Sequence, residues 1–292
     1  MTTVSLPDFS ALAAWRCPET IADLNAVIKN LGCSRIENFS ILEAAIGRFP
    51  GFLIRILPFV WSQAVGGNEE LPKDIPILRD PGSISLKQKQ CLAILANAFL
   101  CSFPGRVSFN CLSSRDLPSI NLDELYTDGG NDNAQIAKLH MLFHYFDRCR
   151  ERLERGEHLD HPIRFLRRRG TNSSVDDWIN VRDSLIPPTV HPLGRSIDEA
   201  KDMLRIDFAN MIIGGGAIAY GCVQEEIMFC ACPELIVSRL LCNVMQSDEA
   251  IVILGTEQFS TPDGYGFSLK CGGAYEDTTP FDHEGVRKSS IS

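Results

Sequence analysis

The chain has 292 residues, a formal net charge of −9, 45% hydrophobic residues and 22% charged ones. That balance belongs to a globular fold with room for one large or two ordinary domains. It excludes a general nucleic-acid binder, since acidic surface repels phosphate except where a local site of backbone amides receives it, and no apolar run is long enough to cross a bilayer.

Residues 1–9 lack a basic patch followed by an apolar core, so no secretory signal is read there. Residues 18–31 place Ile21, Leu24, Val27, Ile28 and Leu31 at helical spacing, with Gly32 as a stop. Residues 50–64 form a second apolar helix candidate. Residues 65–84 carry Gly66, Gly67, Pro72, Pro76, Pro81 and Gly82 and read as a loop. Ser85-Leu-Lys-Gln88 reads as a capping box that opens an apolar helix from Leu86 to about Phe103, closed by Pro104-Gly105. Residues 134–155 predict a further helix, and Pro162-Ile-Arg-Phe-Leu166 a short strand. From Val190 onward, short apolar runs alternate with glycine turns. Residues 233–245 read as a helix with proline in its first turn. Residues 249–255 give the clearest buried strand, and Gly272-Gly273 a plain loop. Strand, glycine loop, helix and strand in that order predict an α/β fold with its ligand at the strand ends. The change of texture divides the molecule into a helical domain over residues 1–160 and an α/β domain over residues 185–292.

Eleven cysteines are scattered, several inside apolar runs, as at Cys91, Cys101, Cys230 and Cys242. This predicts reduced thiols in the nucleus or cytoplasm, not a disulfide frame. Cys230-Ala-Cys232 has a single spacer and no second pair. His140 and His144 have the i, i+4 spacing of metal ligands, but no zinc motif surrounds them and core or surface histidines are expected. No metal and no cofactor is expected. The basic run Arg164-Phe-Leu-Arg-Arg-Arg169 reads as a solvated face or strand edge, or else as a localisation signal or anion patch.

The densest chemistry lies between residues 206 and 226. Asp207-Phe-Ala-Asn210 leads to Gly214-Gly215-Gly216, and eight residues on comes Gln224-Glu225-Glu226. Three glycines let backbone N–H groups close on an anionic ligand where a Cβ would intrude. Paired carboxylates supply acid–base chemistry beside them. Neighbouring helical residues do not share a face, so for both carboxylates to serve one ligand the backbone must be irregular or just entering a helix.

This stretch resembles the signature of the poly(ADP-ribose) glycohydrolases. The resemblance runs from about residue 50 to 275, through Ser85-Leu-Lys-Gln88, Leu117-Pro-Ser-Ile-Asn-Leu122, Leu142-Phe-His-Tyr-Phe146, Pro233-Glu-Leu-Ile236 and Gly255-Thr-Glu-Gln258 to Gly264-Tyr265. Residues 162–168 are similar to another family segment, with Leu166 where the family has Glu. The resemblance implies a helical accessory domain followed by an ADP-ribose-binding macrodomain. It implies hydrolysis of ribose–ribose O-glycosidic bonds. Glu226 would be the acid that then activates water, Glu225 would hold the ribose hydroxyls, and Asp207 and Asn210 would position them. Gln224 would lie near the nucleoside, Tyr265 would close over the ligand, and Asp198 lies one position from an adenine-binding acidic residue. Partners would be poly(ADP-ribose) or ADP-ribosylated proteins, with no membrane and no sequence-specific nucleic acid. The family's later Ile-Asp-Ala strand and its second glycine loop, which clamps the diphosphate, do not occur in these residues. The macrodomain is therefore expected to be incomplete, truncated at its C-terminal side, and hydrolysis by residues 1–292 is expected to be absent. The alternative is a non-catalytic relative acting as a binding or regulatory module.

Overall fold

The structure, a computed structural model, describes residues 3–5, 10–31, 36, 38–67, 71–104, 117–170, 174–190, 192, 194, 197 and 203–291. In sequence order its elements are β1 (Thr3–Ser5), α1 (Ser10–Ala13), α2 (Ile21–Asn30) and α3 (Ser40–Gly47). A π-helical turn at Phe52–Ile56 runs into α4 (Leu57–Gly66). Then come β2 (Asp74–Pro76), β3 (Gly82–Lys87), α5 (Gln88–Phe99), α6 (Asp123–Tyr126), α7 (Asp132–Glu154) and β4 (Pro162–Arg169). The rest comprises α8 (Val175–Ile179), β5 (Leu204–Arg205), α9 (Gln224–Ala231), a 3₁₀ stretch Pro233–Val237, α10 (Ser238–Leu241), β6 (Glu249–Leu254), β7 (Ser260–Asp263), β8 (Lys270–Ala274) and β9 (Ser290–Ile291).

Local chemistry sets the helix ends. The Thr20 hydroxyl accepts from Asp23 N–H at 3.1 Å, and Thr20 N–H donates to the Asp23 carboxylate at 3.1 Å, so α2 begins at a reciprocal box. The expected box at Ser85 lies two residues too early. Ile84 and Leu86 are buried while Ser83, Ser85 and Lys87 are exposed, and a period of two makes a strand. Only half of a box forms, at Lys87, whose N–H donates to Gln90 Oε1 at 2.8 Å. Helix α5 then buries nearly every side chain from Cys91 to Phe99, as a helix apolar all round must. Three other readings are corrected. Residues 65–84 contain β2 and the start of β3. Residues 233–245 turn through 3₁₀ and a short α10 that ends at Cys242, where Leu78 N–H bonds Leu241 O at 2.8 Å. Gly272 and Gly273 lie in β8, paired with β7.

The main sheet has the order β3-β4-β6-β9-β5, antiparallel except for the β9–β5 pair. Ile84 faces Phe165, Phe165 faces Ile253, and Ile253 faces Ile291, giving one buried apolar row across four strands. The sheet takes β3 from before residue 160 and β5, β6 and β9 from after residue 185. One continuous core reaches from Leu12 to Ile291. Among the described residues no single helix is long and apolar enough to cross a membrane.

Two buried charge groups tie these layers. Strand β4 is interior, so the basic run is not a sheet edge; Arg168 and Arg169 are exposed as a solvated face requires, whereas Arg167 points into the core. Arg167 is fully buried, pairs with Glu249 and donates to Asn243 O at 2.6 Å. In the second group, Arg152 of α7 forks onto Glu257 at 2.7 and 2.5 Å, and Arg287 lies 3.1 Å from the same carboxylate. Gln88 of α5 donates to both Glu234 and Glu257, at 2.6 and 3.2 Å. Burial, then the charge of Glu257, pushes Glu234 up to about 8. Removing one partner of a buried pair leaves an uncompensated charge. Glu249→Ala is therefore expected to cost about 3–5 kcal/mol, read as a lower urea midpoint at unchanged slope.

Candidate active site

Helix α9 starts at Gln224, and Val223 before it is extended, at φ −114° and ψ −163°. Glu225 and Glu226 therefore stand in the first turn, where a loop can wrap both. Residues 210–223 do so. Glu225 Oε1 accepts from Gly214 N–H at 2.7 Å and Oε2 from Asn210 N–H at 3.0 Å. Glu226 Oε1 accepts from Gly216 N–H at 3.0 Å and Oε2 from Val223 N–H at 2.9 Å. Both carboxylates are buried. The glycine N–H groups expected to face a ligand are thus filled by the two carboxylates and, at Gly215, by Ile212 O at 2.9 Å.

The close fit explains the glycines. Gly215 has φ +44°, and a Cβ there would lie 2.5 Å from Glu226 Oε1 and 2.7 Å from Glu225 Oε2. A Cβ on Gly216 would meet Gly221 N at 2.7 Å. A side chain at Gly215 would push the carboxylates off the turn, and one at Gly216 would push against the Gly221 backbone.

Behind the turn sit two buried cations that the sequence patterns alone did not single out. Lys138 of α7 donates to the carbonyls of Gly216, Ala219 and Gly221 at 3.0, 2.6 and 2.7 Å. Arg239 of α10 donates through Nη1 to the carbonyls of Ile213 and Gly215, both at 3.0 Å, and through Nε to Ser119 O at 2.8 Å. Burial lowers the Lys138 ammonium and brings Arg239 down to about 10. A signal was present: each is a lone cation inside an apolar stretch, Lys138 between Ala134, Ala137 and Met141, and Arg239 among Leu235, Ile236, Leu240 and Leu241.

The other expected residues gather on the open side. Asp207 is half-buried, and its Oδ1 has no hydrogen-bond partner among the described residues. Burial, then the charge of Glu226, pushes Asp207 up to about 7. Burial and then Asp207 push Glu225 up to about 8, outweighing its two amide bonds. Gln224 brackets the strand-like segment before the turn: its Oε1 accepts from Phe208 N–H at 3.0 Å and its Nε2 donates to Ile206 O at 3.2 Å. Asn210 spends its side-chain oxygen on Ile212 N–H at 3.0 Å, an Asx turn. Tyr265 is exposed, and its hydroxyl accepts from Gln224 N–H at 3.2 Å. Phe208 and Tyr220 are exposed as well. Asp198 lies outside the described residues. His140 and His144 are half-buried beside the core: His140 Nε2 lies 3.0 Å from Ala45 O, and both rings pack against Phe49. Cys230 Sγ contacts Ala217 O at 3.6 Å.

These shifts predict a pH dependence. Between about pH 4.5 and 8 the native Glu225 retains a proton that the unfolded polypeptide releases. The native state then binds more protons, so stability falls as pH rises through that window. Glu225→Gln is expected to make the loss of Tm between pH 5 and pH 8 smaller than in the unaltered protein, measured by thermal melts at both pH values.

Residues 50–165 match the family model described as "Poly (ADP-ribose) glycohydrolase (PARG), helical domain", and residues 175–292 the one described as "Poly (ADP-ribose) glycohydrolase (PARG), Macro domain fold". The chain is 34% identical over 212 residues to Poly(ADP-ribose) glycohydrolase 1 of Arabidopsis thaliana, a match that covers 72% of this chain and 37% of that protein. It is 33% identical over 208 residues to Poly(ADP-ribose) glycohydrolase 2 of Caenorhabditis elegans, covering 69% and 38%. The chain spans about two fifths of the length of these relatives. The two family models together take in well over half of the chain, and it belongs to the poly(ADP-ribose) glycohydrolase family, with that family's helical domain followed by a macrodomain fold.

Proposed function

We propose that these residues carry the acid–base half of a site that hydrolyses the ribose–ribose O-glycosidic bonds of poly(ADP-ribose). The observation that supports this most is the group of three neighbouring carboxylates, Asp207, Glu225 and Glu226, with the two glutamates anchored on the amides of one glycine turn. Asp207 and Glu225, raised to about 7 and about 8 by burial and neighbouring charge, keep a proton beside Glu226 near neutral pH. Cleavage needs that proton. The C1–O bond breaks with its electron pair going to the leaving 2′-oxygen, which takes the proton. The carboxylate so formed then removes a proton from the water that adds to C1 of the ribosyl cation. By the family resemblance Glu226 is this acid and base, while Glu225 holds the ribose hydroxyls.

Tyr265, exposed beside Gln224, is the proposed lid on the nucleoside. The diphosphate-clamping glycine loop expected from the family is not among these residues. Hydrolysis is therefore proposed for a polypeptide that joins them to such a loop, and not for residues 1–292 alone.

The test is release of ADP-ribose from polymer by residues 1–292, and by the same residues extended with the remaining macrodomain of a family member. The extended protein is expected to be active, and Glu226→Gln to lower its kcat by at least about 100-fold. Near-normal turnover by that variant would overturn the role of Glu226, and loss confined to Glu225→Gln would transfer the acid to Glu225. Tyr265→Ala is expected to weaken ADP-ribose binding by about 1–3 kcal/mol, measured by calorimetry, and unchanged affinity would return Tyr265 to packing.

A further inference from the structure

We propose that Arg239 is a positioning residue that sets Glu225 and Glu226 through two peptide groups of the glycine turn. The peptide between Ile213 and Gly214 has its carbonyl on Arg239 Nη1 at 3.0 Å and its N–H on Glu225 Oε1 at 2.7 Å. The peptide between Gly215 and Gly216 repeats the arrangement, with its carbonyl on the same Nη1 at 3.0 Å and its N–H on Glu226 Oε1 at 3.0 Å. In a trans peptide these two groups point in opposite directions. One nitrogen of Arg239 thus holds the rear of both peptides whose fronts hold the two carboxylates.

The chemistry of the contact gives it a direction. A guanidinium polarises the carbonyls it bonds, and chained hydrogen bonds strengthen one another. The N–H ends become better donors to the carboxylates. Arg239 is buried, and its hydrogen bonds to Ile213, Gly215 and Ser119 all end on carbonyls. A buried guanidinium commonly pairs with a carboxylate. Here its charge reaches Glu225 and Glu226 through the peptides instead of by contact.

Lys138 supports the neighbouring part of the turn from α7. Three carbonyl acceptors around Nζ require three N–H donors, which only the ammonium form supplies. The same helix packs Ala134, Ala137 and Met141 against Cys222, Ile227 and Cys230 beside the carboxylates. The turn is therefore seated on cations from two elements, one of them in the helical part of the molecule.

The catalytic part of this inference rests on the proposed hydrolysis, while the positioning part does not, and the two are read separately. Positioning is read as amide exchange in the ¹⁵N-labelled protein. In Arg239→Met, exchange at Gly214 and Gly216 is expected to speed up about tenfold or more relative to Leu95 in α5 and Ile253 in β6. Arg239→Lys, which keeps a charge and donors, is expected to fall between the two. It also serves as the folded variant should the methionine protein not fold. Exchange at Gly214 and Gly216 that stays within about twofold of the unaltered protein, or that rises only together with Leu95 and Ile253, would overturn the proposal. In the extended protein, kcat is expected to drop by about 100-fold with KM nearly unchanged, and a change confined to KM would overturn the catalytic part. If the extended protein does not release ADP-ribose at all, the functional reading fails and the exchange data still decide the role of Arg239.

Discussion

Everything at the candidate site depends on one backbone turn having charge on both of its sides. Between Asn210 and Gly221 the N–H groups of Asn210, Gly214 and Gly216 point to Glu225 and Glu226, while the carbonyls of Ile213, Gly215, Gly216, Ala219 and Gly221 point to Arg239 and Lys138. Neither side is satisfactory alone. Two buried carboxylates without donors would be neutralised or expelled, and two buried cations without acceptors would be as costly. The turn joins them without direct ion pairs. Its glycines follow from this, because the space where a Cβ would stand at Gly215 already holds carboxylate oxygens.

The same constraint accounts for the titration of the site. Amide donors favour ionised carboxylates, whereas burial and mutual repulsion disfavour them. At Glu225 and Asp207 the second influence wins, and both are raised toward neutrality. A helix N-terminus would by itself hold acids ionised. Burial and the neighbouring carboxylates outweigh that influence at Asp207 and Glu225.

The remainder of the fold holds that turn in place. Lys138 comes from α7 and Arg239 from α10, so the two helices have to keep a fixed spacing. The Glu257 group contributes to this by tying Arg152 of α7 and Gln88 of α5 to the segments around Glu234 and Arg287. The helical and sheet portions accordingly share one core and one strand ladder, in which β3 of the earlier part pairs with β4 and β4 with β6 of the later part.

Local patterns written in consecutive residues were legible without coordinates: helix α2, helix α7, the buried strand β6, and the spaced glycines and carboxylates of residues 207–226. The family and the α/β class follow from them. What depends on a choice between neighbours in space was decided only by the tertiary structure. Ser85 met the rule for a helix cap, yet pairing with β4 took residues 82–87 into the sheet. Residues 233–245 have a helical apolar face, yet complete burial bent them into two short turns. The glycine amides could serve a ligand or the protein, and here those of Gly214 and Gly216 donate to the two carboxylates. Lys138 and Arg239 looked like interruptions of apolar runs, because a sequence shows that a cation is to be buried but not which carbonyls will meet it. Hydrogen-bond partners 78 and 26 residues apart are brought together by packing, and packing is a property of the whole molecule and not of any segment read alone.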